Sequence, residues 1–302
     1  MAGGTTAHAP LRALGVAALG IATYAIMDAL MKGLALESGA YNALLWRITA
    51  GFVLISMLHL ATRPTWPSFA ILRVHAARGV VVTAMALTFF WGIARVPLAE
   101  AIALSFVAPL IALALAALVL KEQVGARAIL ASLTSLAGVA IVLAGRLGGT
   151  HTPDTLRGMG AVLLSALLYA VNLVMARHQA QLASPREIAF FQNMVMLALL
   201  LLGAPVFGAL PTATQLGPIV AAAGLAVVSL LMLSWAYARA EAQVLLSVEY
   251  TAFVWAALFG WWVFGERLTA ITLVGTILIV AGCILAARAP AGAASPISEA
   301  QA

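Results

Sequence analysis

Ten apolar runs of about twenty residues each, parted by short breaks that carry charge, proline or glycine, leave this chain few folds to choose from. Twenty residues rising 1.5 Å each cover roughly the 30 Å of a bilayer's hydrocarbon. The runs fall near 11–32, 40–60, 76–95, 98–119, 127–146, 157–177, 187–209, 217–238, 242–264 and 270–288. Breaks such as Arg63-Pro64-Thr65-Trp66-Pro67, Lys121-Glu122-Gln123 and Ala183-Ser184-Pro185-Arg186 are turn-forming or charged. The expected fold is therefore an all-α membrane protein with ten transmembrane helices. Composition agrees: of 302 residues, 64% are hydrophobic and 9% charged, and the mean hydropathy of +1.08 lies far outside the range of soluble domains.

The chain also matches itself. Trp91-Gly92-Ile93-Ala94-Arg95 recurs as Trp235-Ala236-Tyr237-Ala238-Arg239, 144 positions later. At the same offset Glu122 falls on Glu266, Ala131 on Gly275 and Gly138 on Gly282, while Tyr24-Ala25 falls on Tyr169-Ala170 and Lys32 on Arg177 at 145, a slip that fits a loop insertion. Division at the 147–156 linker gives repeats over 11–146 and 157–288, each with five helices. Because five is odd, the second unit starts from the opposite side of the membrane, and the pair becomes two inverted five-helix repeats, an architecture suited to alternating access. Leu11–Met31 is the counterpart of Met159–Ala176, so the N-terminal run is expected to be a retained helix and not a cleaved leader. Ten Lys and Arg fall on one side and five on the other if both termini are cytoplasmic. The small, proline-bearing tail over 289–302 is expected to be disordered.

Several function classes are disfavoured. The net charge of +6 is spread over connections and forms no patch or stripe, so nucleic acid is not a partner. Cys283 is alone, and the five histidines lie in tails or near helix ends, without disulfide or metal-ligand spacing. No metal or cofactor is expected. The sequence lacks a nucleotide-binding Walker motif, a His-Glu-x-x-His helix, paired intramembrane aspartates or a serine–histidine arrangement at depth, so an intramembrane enzyme is disfavoured and no catalytic residue is assigned. A channel would need a continuous polar path, whereas the polar residues are few and clustered.

The run Pro97-Leu98-Ala99-Glu100-Ala101-Ile102-Ala103-Leu104, with Val119-Leu120-Lys121-Glu122 leading to Gly138 and Phe264-Gly265-Glu266 leading to Gly282, resembles the EamA-type members of the drug/metabolite transporter superfamily over about residues 11–288. The Pro97–Leu104 run is similar to those of riboflavin transporters and of opine-metallophore exporters, and amino-acid exporters share the fold. The resemblance implies a secondary transporter of a small organic metabolite in a bacterial inner membrane, as a monomer or homodimer, with protons as a candidate coupling ion. It also implies export, with riboflavin-type import as the alternative.

Polar groups at membrane depth need a partner or a water-filled cavity, so each is a candidate. Glu249 lies eight residues beyond Glu241, about 12 Å into helix nine, and its repeat equivalent is Ser105. It reads as a site for a cationic group or a proton-coupling carboxylate, against a protonated acid bonded to a neighbouring helix. Asp28 and Arg47, each about 12 Å from the outer helix ends, are level enough to meet. Their repeat counterparts Leu173 and Gln192 are both uncharged, as mutual neutralisation predicts. Lys32, one turn on, is an alternative partner for Asp28, and Arg47 is the better carboxylate ligand because its planar fork binds in bidentate fashion.

Tyr24, Tyr169 and Tyr250 lie deep enough to line a pocket, and Asn172, three positions after Tyr169, shares its helix face or bonds a neighbouring helix. Trp91 and Trp235 are repeat mates that either stack on a planar or cationic substrate or belong to an interfacial aromatic belt. Glu100, Glu122, Glu241 and Glu266 read as helix-end carboxylates. Ala131/Gly138 and Gly275/Gly282 permit close approach of helices five and ten, the expected scaffold pair. An acid, a base and aromatics together suit a zwitterionic or amphoteric substrate.

Overall fold

The computed structural model describes residues 8–61, 66–108, 110–111, 126–147, 153–237 and 250–287, and among them every regular element is a helix. The first, α1 (His8–Leu60), would measure about 80 Å if straight, far more than a bilayer. It folds at Gly39, whose φ of 82° and ψ of 151° lie where only glycine is unstrained. The limbs 8–38 and 40–60 therefore replace the expected separate helices 11–32 and 40–60, meeting at one glycine.

The chain continues through α2 (Phe69–Ile93), α3 (Leu98–Ser105), α4 (Ala126–Leu147), α5 (Pro153–Ala180) and α6 (Pro185–Phe207). It ends in α7 (Ala213–Tyr237), α8 (Thr251–Phe264) and α9 (Ala270–Ala287). Local chemistry sets several of these ends. Ser184 accepts a hydrogen bond from the Glu187 N–H at 3.3 Å and Pro185 opens α6, which is the cap-then-proline order a helix start favours. Helix α2 begins seven residues earlier than expected, because Arg73, His75 and Arg78 lower the hydropathy of its first turns without unwinding them. The expected helix 98–119 is interrupted by a turn at Phe106 and Val107 and is helical again at 108, 110 and 111, with 112–119 outside the described residues, and of 242–264 the part from Thr251 is described.

Helices α1, α2, α5, α6 and α7 have the length and apolar composition to cross a membrane, and α4, α8 and α9 carry shorter apolar stretches. Their outward faces are apolar: Leu202, Val206 and Trp262 are 78%, 77% and 73% exposed, a surface that lipid covers favourably. Met31, Leu44, Ile93, Leu98, Leu104, Met159 and Leu200 are buried in one continuous core.

Helix α1 packs on α7, α2 on α5, α4 on α9, and both α1 and α2 on α6. Small residues make these approaches close. The Ser229 hydroxyl donates to the Gly20 carbonyl at 2.6 Å, joining α7 to α1, and Ser165 donates to Met85 at 2.9 Å, joining α5 to α2. The sequence offsets of 145 and 144 carry positions 20 and 229 onto 165 and 85. Ser135 donates to Ile279, 144 positions away, at 3.0 Å. A Cβ on Gly138 would lie 2.5 Å from the Gly275 carbonyl oxygen, so α4 and α9 touch through their backbones. Gly138→Ala is expected to cost about 1–3 kcal/mol by overpacking, read as a fall in unfolding temperature and in membrane-inserted yield. Gly160→Ala, with nothing within 4 Å of its Cβ, is the control and leaves both unchanged.

Candidate functional site

The first polar cluster surrounds the fold of α1. Tyr24 and Asp28 stand one turn apart on the first limb, and Arg47 comes from the second limb, close enough to interact electrostatically with both. Tyr24 is 41% exposed and Asp28 is buried. Asp28 and Arg47 do not form the expected ion pair within 4.0 Å. The first limb runs on to residue 38, which sets Asp28 about 16 Å from the Gly39 bend and Arg47 about 12 Å. The charges share a space without closing on each other. The Arg47 Nε is buried without a hydrogen-bond partner, and its guanidinium carbon lies 5.7 Å from the Phe90 ring centroid.

Lys32 is not the partner of Asp28 either. Its ammonium turns to Glu266 in a short ion pair and donates to the Val96 carbonyl at 2.6 Å. The other Glu266 oxygen accepts from the Leu98 N–H at 2.7 Å. Gly265 makes this possible: at φ 64° it ends α8 in the left-handed region and turns Glu266 back toward α1. Glu100, in the first turn of α3, is fully buried and accepts from the Thr272 hydroxyl at 3.0 Å. Glu266 and Glu100 thus tie helices together, a role that position near a helix end did not reveal. One end of the bundle is latched by α1, the α2–α3 turn and the α8–α9 turn.

A third cluster lies toward the opposite end. Arg78 donates through Nε to Asn172 at 2.8 Å and through Nη1 to Gln179 at 2.5 Å. Gln179 Nε2 donates to His75 Nδ1 at 2.6 Å, and His75 Nε2 meets Glu187 at 3.1 Å. His75 is buried and stacks on Phe191, with centroids 4.7 Å apart. Tyr169, 39% exposed, interacts electrostatically with Arg78. Arg78 thus links Asn172, to which it donates, with Tyr169, with which it interacts electrostatically. Its position three residues into an apolar run was the available signal.

Trp91 is covered by Arg95, whose guanidinium carbon lies 3.5 Å from its ring centroid while bonding Asp154 at 3.2 Å. That contact at the end of α2 favours the interfacial reading of Trp91. Trp235 is 38% exposed, and Tyr250 meets Phe106 edge-on at 5.3 Å. Glu249 lies outside the described residues, as do Glu122 and Glu241. Among the described residues no group of His, Cys, Asp and Glu could hold a metal ion.

A bundle of helices long and apolar enough to cross a membrane, with charged groups held inside it, is a multi-pass membrane protein. The chain belongs to the EamA-like transporter family, which it matches over residues 11–144 and 156–288. The pseudopaline exporter of Pseudomonas aeruginosa strain UCBPP-PA14 is 24% identical over 285 residues, covering 92% of this chain and 96% of the exporter. The same exporter of strain PAO1 is 24% identical over 284 residues, again covering 92% and 96%. An uncharacterised transporter of Helicobacter pylori strain J99 is 26% identical over 212 residues, 69% of this chain and 71% of that one. A solved crystal structure shares the fold, with a TM-score of 0.57 at 22% identity over 89% of this chain and 96% of its own. The family and these named relatives are transporters, not enzymes.

Proposed function

We propose that this protein is a secondary transporter of the bacterial inner membrane that exports a small zwitterionic or amphoteric metabolite, such as an amino-acid derivative or an opine-type metallophore. The observation that carries the reading is the pair Asp28 and Arg47: opposite charges that share an internal space with Tyr24, make no bridge, and leave the Arg47 Nε without a partner. An acid and a base held apart at depth match the amine and carboxylate of one ligand, which would repay the cost of keeping both groups out of water. Export follows the pseudopaline exporters, which are similar along nearly their whole length. The open rings of Tyr24 and Tyr169 favour a second reading, a riboflavin-type importer of a planar ligand.

The transport cycle is alternating access between two inverted five-helix repeats, 11–146 and 157–288, with both termini cytoplasmic. The repeat offsets carry Lys32 and Glu266 onto Arg177 and Glu122. The latch at one end would then have a counterpart at the other, the two closing in turn. Glu249 keeps its role as a cation site or proton-coupling carboxylate.

The test is untargeted mass spectrometry of cells and spent medium from strains lacking and overproducing the protein, in rich medium and under metal starvation. A compound carrying both amine and carboxylate should accumulate outside with expression. Faster loss of a planar compound from the medium would establish import instead, and no shift under either condition sinks the transporter reading of this site.

A further inference from the structure

We infer that Arg78 is a second carboxylate-binding site, separate from Arg47 and placed between the cavity and the end of the bundle opposite the Lys32–Glu266 latch. The inference rests on the transporter reading for its purpose but not for its geometry. A guanidinium has five N–H donors. Asn172 and Gln179 take one each, and three remain, two of them on Nη2. Among the described residues the buried side-chain nitrogen or oxygen atoms without a partner are Arg47 Nε and Ser56 Oγ, so Arg78 Nη2, which bonds neither amide, is not sealed inside the protein.

Partial burial makes that arrangement costly unless something occupies it. Arg78 is half-buried at the start of the apolar part of α2, held against Asn172 and Gln179 near the end of α5. Both partners are neutral amides, so the charge is oriented but not compensated. The nearest acid in the network, Glu187, is spent on His75, two links away. A purely structural tie between α2 and α5 needs no charge, since a neutral amide could bond the same oxygens, and a half-buried cation without a counter-charge is unfavourable.

The chain Glu187–His75–Gln179 fixes the Gln179 amide so that its oxygen faces Arg78, and Asn172 fixes the other side. What is left free is a preorganised planar cation with Tyr169 within its field, the geometry for a bidentate carboxylate. Phe90, under Arg47, is twelve residues further along α2, about 18 Å. That exceeds one small ligand, so the two arginines act as successive stations. Arg73 and Arg186, exposed at the adjacent end, draw anions toward the first of them.

The test uses purified full-length protein in detergent, its unfolding temperature followed during titration with sodium citrate, and with inorganic phosphate or sodium chloride at equal ionic strength. The wild type should show a saturable citrate-specific rise. Arg78→Gln should raise the half-effect concentration at least tenfold, and Arg78→Lys, which keeps the charge without the planar fork and guards against misfolding of the first variant, by a smaller factor. A structural role would lower the starting temperature in both variants and leave the citrate dependence unchanged, which overturns the inference. So would a wild type without a citrate-specific response, or one that prefers phosphate. Loss of the response in Arg47→Gln alone also overturns it while sparing the proposed function. Loss in Arg78→Gln with no exported compound in the metabolite comparison sustains the site and removes the transport reading.

Discussion

Glu266→Gln should destabilise the protein by about 3 kcal/mol, because it strands the Lys32 ammonium in a nearly closed site. The side chains of the pair are 5% and 17% exposed. Glutamine keeps one oxygen for the Leu98 N–H but turns its NH2 toward the ammonium, so the change removes the counter-charge and sets donor against donor. Lys32→Met with Glu266→Gln should recover most of the loss, since two neutral groups of similar volume avoid both the desolvation and the stranded charge. Unfolding temperature in detergent reads both effects. An unchanged temperature in Glu266→Gln would mean that water reaches Lys32 freely and that the latch does not hold this end of the bundle shut.

That latch also shows where sequence reading runs out. Membrane class and family were legible because hydropathy and motif spacing are one-dimensional signals, and the close approach of α4 and α9 was marked by Gly138 and Gly275. What Lys32 pairs with was not. Asp28, one turn away, is near in sequence, but Glu266 is brought to Lys32 by the left-handed Gly265, and such a turn is set by tertiary placement. The partners of Arg78 were out of reach for a related reason. A cation near the start of a run looks like a loop residue until α5 supplies Asn172 and Gln179 from almost a hundred positions away. The limbs of α1 failed differently: the residues after 32 are not apolar enough to extend a hydropathy run, yet they stay helical to Gly39 because Leu34, Ala35, Ala40 and Leu44 are buried in the core.

The same bend decides the second large effect. Were Asp28 and Arg47 a structural pair, removing one charge would strand the other, and Asp28→Leu with Arg47→Gln, copying the second repeat, would restore folded yield. Their separation predicts a different outcome. Asp28→Asn and Arg47→Gln should each fold in near wild-type yield and each lower flux, in proteoliposomes supplied with the compound the metabolite comparison identifies, by about 30-fold or more. That factor corresponds to the roughly 2 kcal/mol or more expected when a charged ligand group loses its desolvated partner. The losses should also be specific. Asp28→Asn should no longer distinguish the compound from an analogue lacking its amine, and Arg47→Gln should no longer distinguish the acid from its amide, because each variant removes recognition of one end of the ligand only. Low yield in both single variants with recovery in the double variant would assign these charges to the fold instead. The ligand would then have to be recognised by the remaining groups, with Arg78 the first of them to examine.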